Sequence, residues 1–189
     1  MASLVMVVGA VVSLAGCTSE LKGGSLSMPD AASTATASPI SPVRHPRDIT
    51  ALTRRPCDSL TPEQAAMFKF DRPPQQMPGV PGPLACEWAN NARDRIHLSA
   101  RTNEVTLEDV YRKRRSFAFF ELTETNGYPM TVSRTNAKLP TCDIDLKPAE
   151  RQSVSLTYES PGLDHDPQQA CVEGKQVMKA VLMNLPPTG

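Results

Sequence analysis

The chain has no charge imbalance, few aromatic side chains and no apolar run long enough to cross a bilayer. Its 20 Lys and Arg are matched by 20 Asp and Glu, and all of these charges lie after residue 17. A nucleic-acid partner is therefore not expected, because displacing counterions from phosphates needs a basic surface. The long apolar stretch, Ala2 to Gly16, falls short of the roughly 20 residues that a spanning helix needs. Internal repeats are missing, and so is the strand-helix alternation of a parallel α/β fold. No two cysteines have the close spacing of a zinc ribbon, so no metal is expected, and no cofactor motif is present. No Ser or Cys nucleophile has a paired His at a recognisable spacing.

What is present begins with export. Ala2 to Gly16 contains no charged side chain and has the length of a signal-peptide core. No Lys or Arg precedes it, where an export signal ordinarily carries one. It ends in Leu14-Ala15-Gly16-Cys17. This resembles the lipobox of bacterial lipoproteins: a branched apolar residue, two small residues, then cysteine. The small residues let a peptidase close on the backbone. The Cys17 thiol would accept a diacylglyceryl group, and two acyl chains anchor a protein where one is marginal. Residues 1–16 are thus expected as a lipoprotein signal peptide, with the mature chain held at the outer face of the cell membrane.

Residues 17–48 are rich in Ser, Thr, Ala, Pro and Gly. Such composition cannot bury enough apolar surface to offset ordering entropy, so a disordered tether is expected. Its reach would be roughly 30 Å. His45, beside Pro46, is expected to be exposed and inert.

The folded domain is expected over residues 49–189. Thr61-Pro62-Glu63-Gln64 has the pattern of a capping box with Pro at the first helical position. A short helix to about Phe68 follows. Asp71 to Pro83 holds five prolines and two glycines, which predicts a loop. Leu84 to Ala89 and Arg95 to Ser99 read as a hairpin. A helix starts at Thr106, with Leu107, Val110, Tyr111 and Phe117 near one face. Phe119 to Glu124 and Tyr128 to Val132 flank Asn126-Gly127, a strong hairpin turn signal. Pro129 places its strand at a sheet edge, or marks its first residue or a bulge. Cys142 to Leu146 and Ser153 to Tyr158 alternate as a further hairpin. Asp166 caps a last helix, whose apolar positions run from Cys171 to Leu185, with Gly174 packing closely on the sheet. The class expected is α+β: a mainly antiparallel sheet of about six strands, with helices covering one face.

Five cysteines leave an odd count. Lipidation of Cys17 makes it even. Four cysteines in an exported protein imply two bridges, with three connectivities open. Cys57–Cys86 with Cys142–Cys171 is favoured, because each joins a helix-associated segment to a nearby strand and the two loops are of similar length.

Beyond these readings the chain resembles a family of actinobacterial lipoproteins, domain of unknown function 3558. The likeness is carried by the lipobox, the linker and Cys57-Asp58-Ser59-Leu60-Thr61-Pro62-Glu63-Gln64. Cys86-Glu87-Trp88, Gly127-Tyr128-Pro129 and a cysteine-bearing helix running into Leu185-Pro186 follow in order. The resemblance implies location and fold. It assigns no catalytic residue.

Candidate chemistry is thin. Asp164-His165-Asp166 could bind a metal or act as a base, although Asp166 is explained as a helix cap. Asp143 and Asp145 share one strand face, where they could bind a cation or raise one another's pKa, although a solvated strand edge gives the same pattern more often. His97 lies opposite Ile96 and Leu98 and is expected at the surface. Arg112-Lys113-Arg114-Arg115 is expected as a solvated helix face, with Arg114 nearest the apolar stripe. The function expected is that of a non-catalytic binding or interaction module, whose partner is an envelope protein or a small ligand. The alternatives are an envelope hydrolase using the acidic and histidine groups, or a structural spacer.

Overall fold

A computed structural model of the chain describes residues 38–79, 82–161 and 166–189. The expected signal peptide, Cys17, most of the expected tether, Asp164 and His165 lie outside the described residues. The compact unit runs over residues 37–189.

Local sequence explains most elements. Helix α1 (Pro62–Met67) starts at the predicted capping box: the Thr61 side chain accepts from Gln64 N, and the Gln64 side chain accepts from Thr61 N. A short 3-10 turn, Pro56–Ser59, precedes it. Strands β2 (Ala85–Ala89) and β3 (Arg95–Thr102) pair as the predicted hairpin. Helix α2 (Leu107–Arg112) has a second capping box, between Thr106 and Asp109. Strands β4 (Phe119–Thr125) and β5 (Tyr128–Arg134) turn at Asn126 and Gly127, with φ of 51° and 80°. Two consecutive positive φ values are what a two-residue hairpin turn demands. Strands β6 (Thr141–Leu146) and β7 (Gln152–Glu159) pair next. Helix α3 (Pro167–Asn184) closes the fold, with Asp166 Oδ1 accepting from Gln168 N at 2.9 Å.

The class is α+β. Among the described residues the sheet has seven strands, all paired antiparallel, in the order β1-β2-β3-β7-β6-β5-β4. The seventh is β1 (Gln75–Met77), inside the stretch expected as a loop. Its prolines flank the three paired residues rather than interrupting them, so the loop composition hid a short edge strand. Pro129 is not on an edge: β5 lies between β4 and β6. The proline pairs with Glu124 of β4 as the second residue of its strand, and it stands one residue before the β6 ladder, which begins at Met130. Its carbonyl still accepts from Lys147 N at 2.9 Å.

The packed region also starts earlier than the expected boundary at residue 49. Ile40 is buried. Arg47 N donates to Pro148 O, and its guanidinium donates to Tyr128 Oη and Leu185 O, each at 3.0 Å. Tyr128 Oη donates in turn to the carbonyl of His45, whose ring is exposed. Low-complexity composition concealed these contacts because two isolated apolar side chains, Ile40 and Val43, one arginine and backbone carbonyls carry them, with no periodic apolar pattern.

Even-numbered side chains of β2, β3, β6 and β7 form the core with α3. Trp88, Ile96, Leu98, Ile144 and Leu156 are 1% exposed or less. Cys57–Cys86 ties the 3-10 turn to β2, and Cys142–Cys171 ties β6 to α3. Gly174 lets α3 lie close to the sheet: an added Cβ would overlap Ile144 Cδ1 and come to 3.3 Å from Tyr158 Cβ. Gly174→Val is therefore expected to cost about 1 to 3 kcal/mol, read as a lower urea midpoint. An unchanged midpoint would show that the helix is free to shift.

The helices do not all cover one face. Val110 and Asp109 of α2 lie over the odd-numbered side chains of β6 and β7, opposite α3. With α3 on one side and α2 on the other, β5 is buried along its whole length.

Candidate functional site

The face of the sheet turned away from α3 is built of small polar side chains. Strand pairing places Ser133, Asp143, Thr157, His97 and Glu87 in one row, and Thr131, Asp145, Ser155 and Ser99 in the next. This follows from the two-residue period: where the core takes Val132, Ile144 and Leu156, the alternate positions point the other way.

Helix α2 and the 3-10 turn after it, Arg114–Ser116, roof part of this face. Lys147 holds the roof down. It is 4% exposed, and its Nζ lies 2.8 Å from Glu108 on α2 and 3.0 Å from Glu150. Burial alone would lower the Lys147 pKa, but the two glutamates outweigh it and the net displacement is upward. Behind the roof, Phe117 stacks on Phe120, and Arg114 lies 4.3 Å over the Tyr111 ring. Arg114 is thus packed as expected, while Arg112, Lys113 and Arg115 are exposed.

Between roof and sheet is an open hollow of about 280 Å³. Its floor carries Ser133, Asp143, Asp145, Ser155 and Thr157. Its walls are Val105, Val110 and Phe117, and Arg101, Asp109 and Lys113 also line it. Asp143 Oδ1 accepts from Thr157 Oγ1 at 2.7 Å, and Asp145 Oδ1 accepts from Ser155 Oγ at 2.5 Å. Burial raises both carboxyl pKa values, against those hydrogen bonds. Asp145 is pushed up to about 6, with the charge of Asp143 adding to burial. Thr131, directly across from Asp145, is fully buried, and its Oγ1 has no partner among the described residues.

A second hollow, of about 330 Å³, is lined by Met67, Lys69, Asn90, Asp94, Tyr158 and Glu173, among others. Its acids are already used. Asp94 accepts from Ser160 and Asn90, and Glu173 accepts from Tyr158 and Gln169. Burial and the Glu173 acceptor raise the Tyr158 pKa. Satisfied polar groups of this kind hold structure rather than solicit a ligand.

Of the sequence candidates, Asp143 and Asp145 lie together on the interior strand β6, in a cleft and not at a solvated strand edge. His97 is half-buried, with Nε2 3.6 Å from Glu87 Oε2. The hydroxyls Thr131, Ser133, Ser155 and Thr157 were not singled out from sequence. Their signal was the run of small polar residues at alternate positions of two strands, where a solvated face would carry long charged ones. Among the described residues no group of three or more His, Cys, Asp or Glu is placed to hold a metal, and no helix is long and apolar enough to cross a membrane.

The sequence profile of a family described as a protein of unknown function (DUF3558) matches residues 12–184. The chain belongs to this family. The match takes in Leu14 to Cys17, all four bridged cysteines and every residue lining the Asp143–Asp145 hollow, so the strands, the bridges and the hollow lie within the DUF3558 match. No curated protein and no solved structure matches the chain.

Proposed function

We propose that this DUF3558 protein is a lipid-anchored envelope protein whose domain is a non-catalytic binding module, with the hollow beneath α2 as its ligand seat. The anchor is supported by cysteine accounting. The two disulfides use Cys57, Cys86, Cys142 and Cys171. Stable bridges belong to an oxidising compartment outside the cytoplasm. The fifth cysteine, Cys17, ends the apolar run Ala2 to Gly16, where a diacylglyceryl group would be attached. The resemblance to actinobacterial lipoproteins supports the same location, the outer face of the cell membrane. Cys17→Ser is expected to remove the lipid mass and move the chain from the detergent to the aqueous phase on partitioning. A variant that stays in the detergent phase would refute the anchor.

The binding reading is carried by one observation: two half-buried carboxylates each use a single oxygen internally, at the floor of an open hollow. Acids partly withdrawn from water and short of donors cost stability, and such costs are retained where function needs them. The ligand would be a small molecule, because the hollow is near the lower limit of small-molecule pockets. The test is native mass spectrometry of the full chain extracted gently from its own membrane. The expected result is a stoichiometric small-molecule adduct that Val110→Trp, filling the hollow, removes. A bare mass with both forms favours the spacer reading.

One observation favours a hydrolase as the second reading. Asp145, raised to about 6 beside Asp143, resembles the paired acids that split proton donor and acceptor roles. Turnover of an envelope substrate that is lost in Asp143→Asn and Asp145→Asn alike would establish it.

A further inference from the structure

The hollow has a charge direction that specifies more than "a small ligand". Its floor is acidic. Asp143 and Asp145 stand two residues apart on one face of β6, and among the described residues neither forms an ion pair. Their own donors, Thr157 and Ser155, reach only Oδ1 of each. Among the described residues the Oδ2 atoms take no hydrogen bond, and Thr131 Oγ1, fully buried on the neighbouring strand across from Asp145 but outside the lining of the hollow, is also unpartnered. The floor thus holds acceptor capacity that the fold leaves unfilled, on two half-buried carboxylates that face the hollow. A group that only donates, and is positive, meets both needs at once.

The rim is basic. Lys113, on the roof, is exposed and forms no ion pair among the described residues, and Arg101 from β3 forms none either. Arg101 acts on Asp145 only through space, as a minor influence. Asp109, the other charge lining the hollow, is taken by Arg112 and by the Thr106 cap. Between floor and rim the walls are apolar: Val105, Val110 and Phe117. A simple polycation would meet Lys113 and Arg101 on entry. A simple anion would meet the two aspartates at the bottom.

We infer that the hollow seats a small zwitterion, its ammonium or guanidinium group on Asp143 and Asp145 and its acidic group on Lys113 and Arg101. This rests on the binding-module reading and narrows it to one ligand chemistry. A free or terminal amino acid and an amine-bearing phospholipid head group share that chemistry.

The test is a titration of the full chain in detergent micelles, followed by amide shifts in two-dimensional nitrogen-proton spectra. The probes are L-leucine, O-phosphoethanolamine, butylamine, butyrate and calcium chloride. Saturable shifts at Asp143, Asp145 and Lys113 are expected with leucine or phosphoethanolamine, and which of the two binds tighter identifies the source. Butylamine should shift the same floor amides about tenfold more weakly, for want of the rim contact. Butyrate should shift neither. Asp145→Asn should abolish binding of every ammonium probe. Lys113→Ala changes an exposed side chain without an ion pair, so its fold is secure. It should weaken the zwitterion to the level of butylamine and leave butylamine unchanged.

Butyrate binding as well as the zwitterion, calcium reproducing the shifts, or no ammonium probe moving a floor amide would each overturn the inference. An adduct from the native membrane that fills the hollow but carries no ammonium or guanidinium group would also overturn it. That last outcome would leave the binding-module reading standing.

Discussion

Asp145→Asn is expected to stabilise the folded chain by about 3 kcal/mol at about pH 8 and to change it little at about pH 3.5. Folding carries this carboxyl from its ordinary value of 3.8 up to about 6, through burial first and the neighbouring charge of Asp143 after it. The folded state therefore binds more protons than the unfolded one between those values, and stability falls as pH rises through that window. About two units at about 1.4 kcal/mol each set the size of the loss. Asparagine keeps an oxygen for Ser155 Oγ and carries no charge, so the variant escapes the loss at high pH and shows none at low pH. Urea unfolding of both proteins across the window checks it. A difference that is flat in pH would mean that Asp145 is solvated in the folded state, and would remove the case for a buried acidic floor. Paired with the loss of ammonium binding expected of the same variant, a gain in stability is the exchange of function for stability that binding sites show.

The second large effect is at the other face of the same strand. Replacing Cys142 and Cys171 together by alanine is expected to lower the unfolding free energy by about 3.5 kcal/mol, from the loop-closure entropy restored to the unfolded chain. The bridge closes a separation of 29 residues, and it joins the middle of the sheet to α3. Both cysteines are buried, at 0% and 6% exposure, so alanine leaves only a small void. The urea midpoint should fall and the slope should rise, because the unbridged unfolded chain exposes more surface. Dithiothreitol should lower the parent protein further than the variant, which retains only Cys57–Cys86. A loss of less than about 1 kcal/mol would mean that α3 is held by apolar packing alone, through Val177, Met178 and Val181.

The two faces of β6 show how far a sequence can be read. Cys142, Ile144 and Leu146 alternate with Asp143 and Asp145. The alternation is enough to recognise a strand, to place its apolar side on the core and to suggest a bridge from Cys142 to the last helix. It is silent on what lies over the acidic side. An aspartate pair opposite a core face is the common signature of a solvated surface. Only the fold puts β6 between β5 and β7 and lays α2 across them, turning that surface into a floor. The contact that fixes α2, Lys147 to Glu108, spans 39 residues of sequence, and no local pattern encodes such a pairing.

The sequence by itself determined what depends on neighbours along the chain. Capping boxes at Thr61 and Thr106, the Asn126-Gly127 turn, the period of each paired strand and the stripe of α3 are local, since each is set by sterics and hydrogen bonds within a few residues. The order of those elements and the even number of domain cysteines were enough for an α+β sheet with two bridges. Tertiary structure decided what depends on which strands become neighbours: a seventh strand at Gln75, an interior place for Pro129, the packing of Ile40 and Arg47, and the burial of Asp145. Strand order brings residues far apart in sequence within a few ångströms, and the free energy of a buried charge depends on that surrounding, not on its neighbours in the chain.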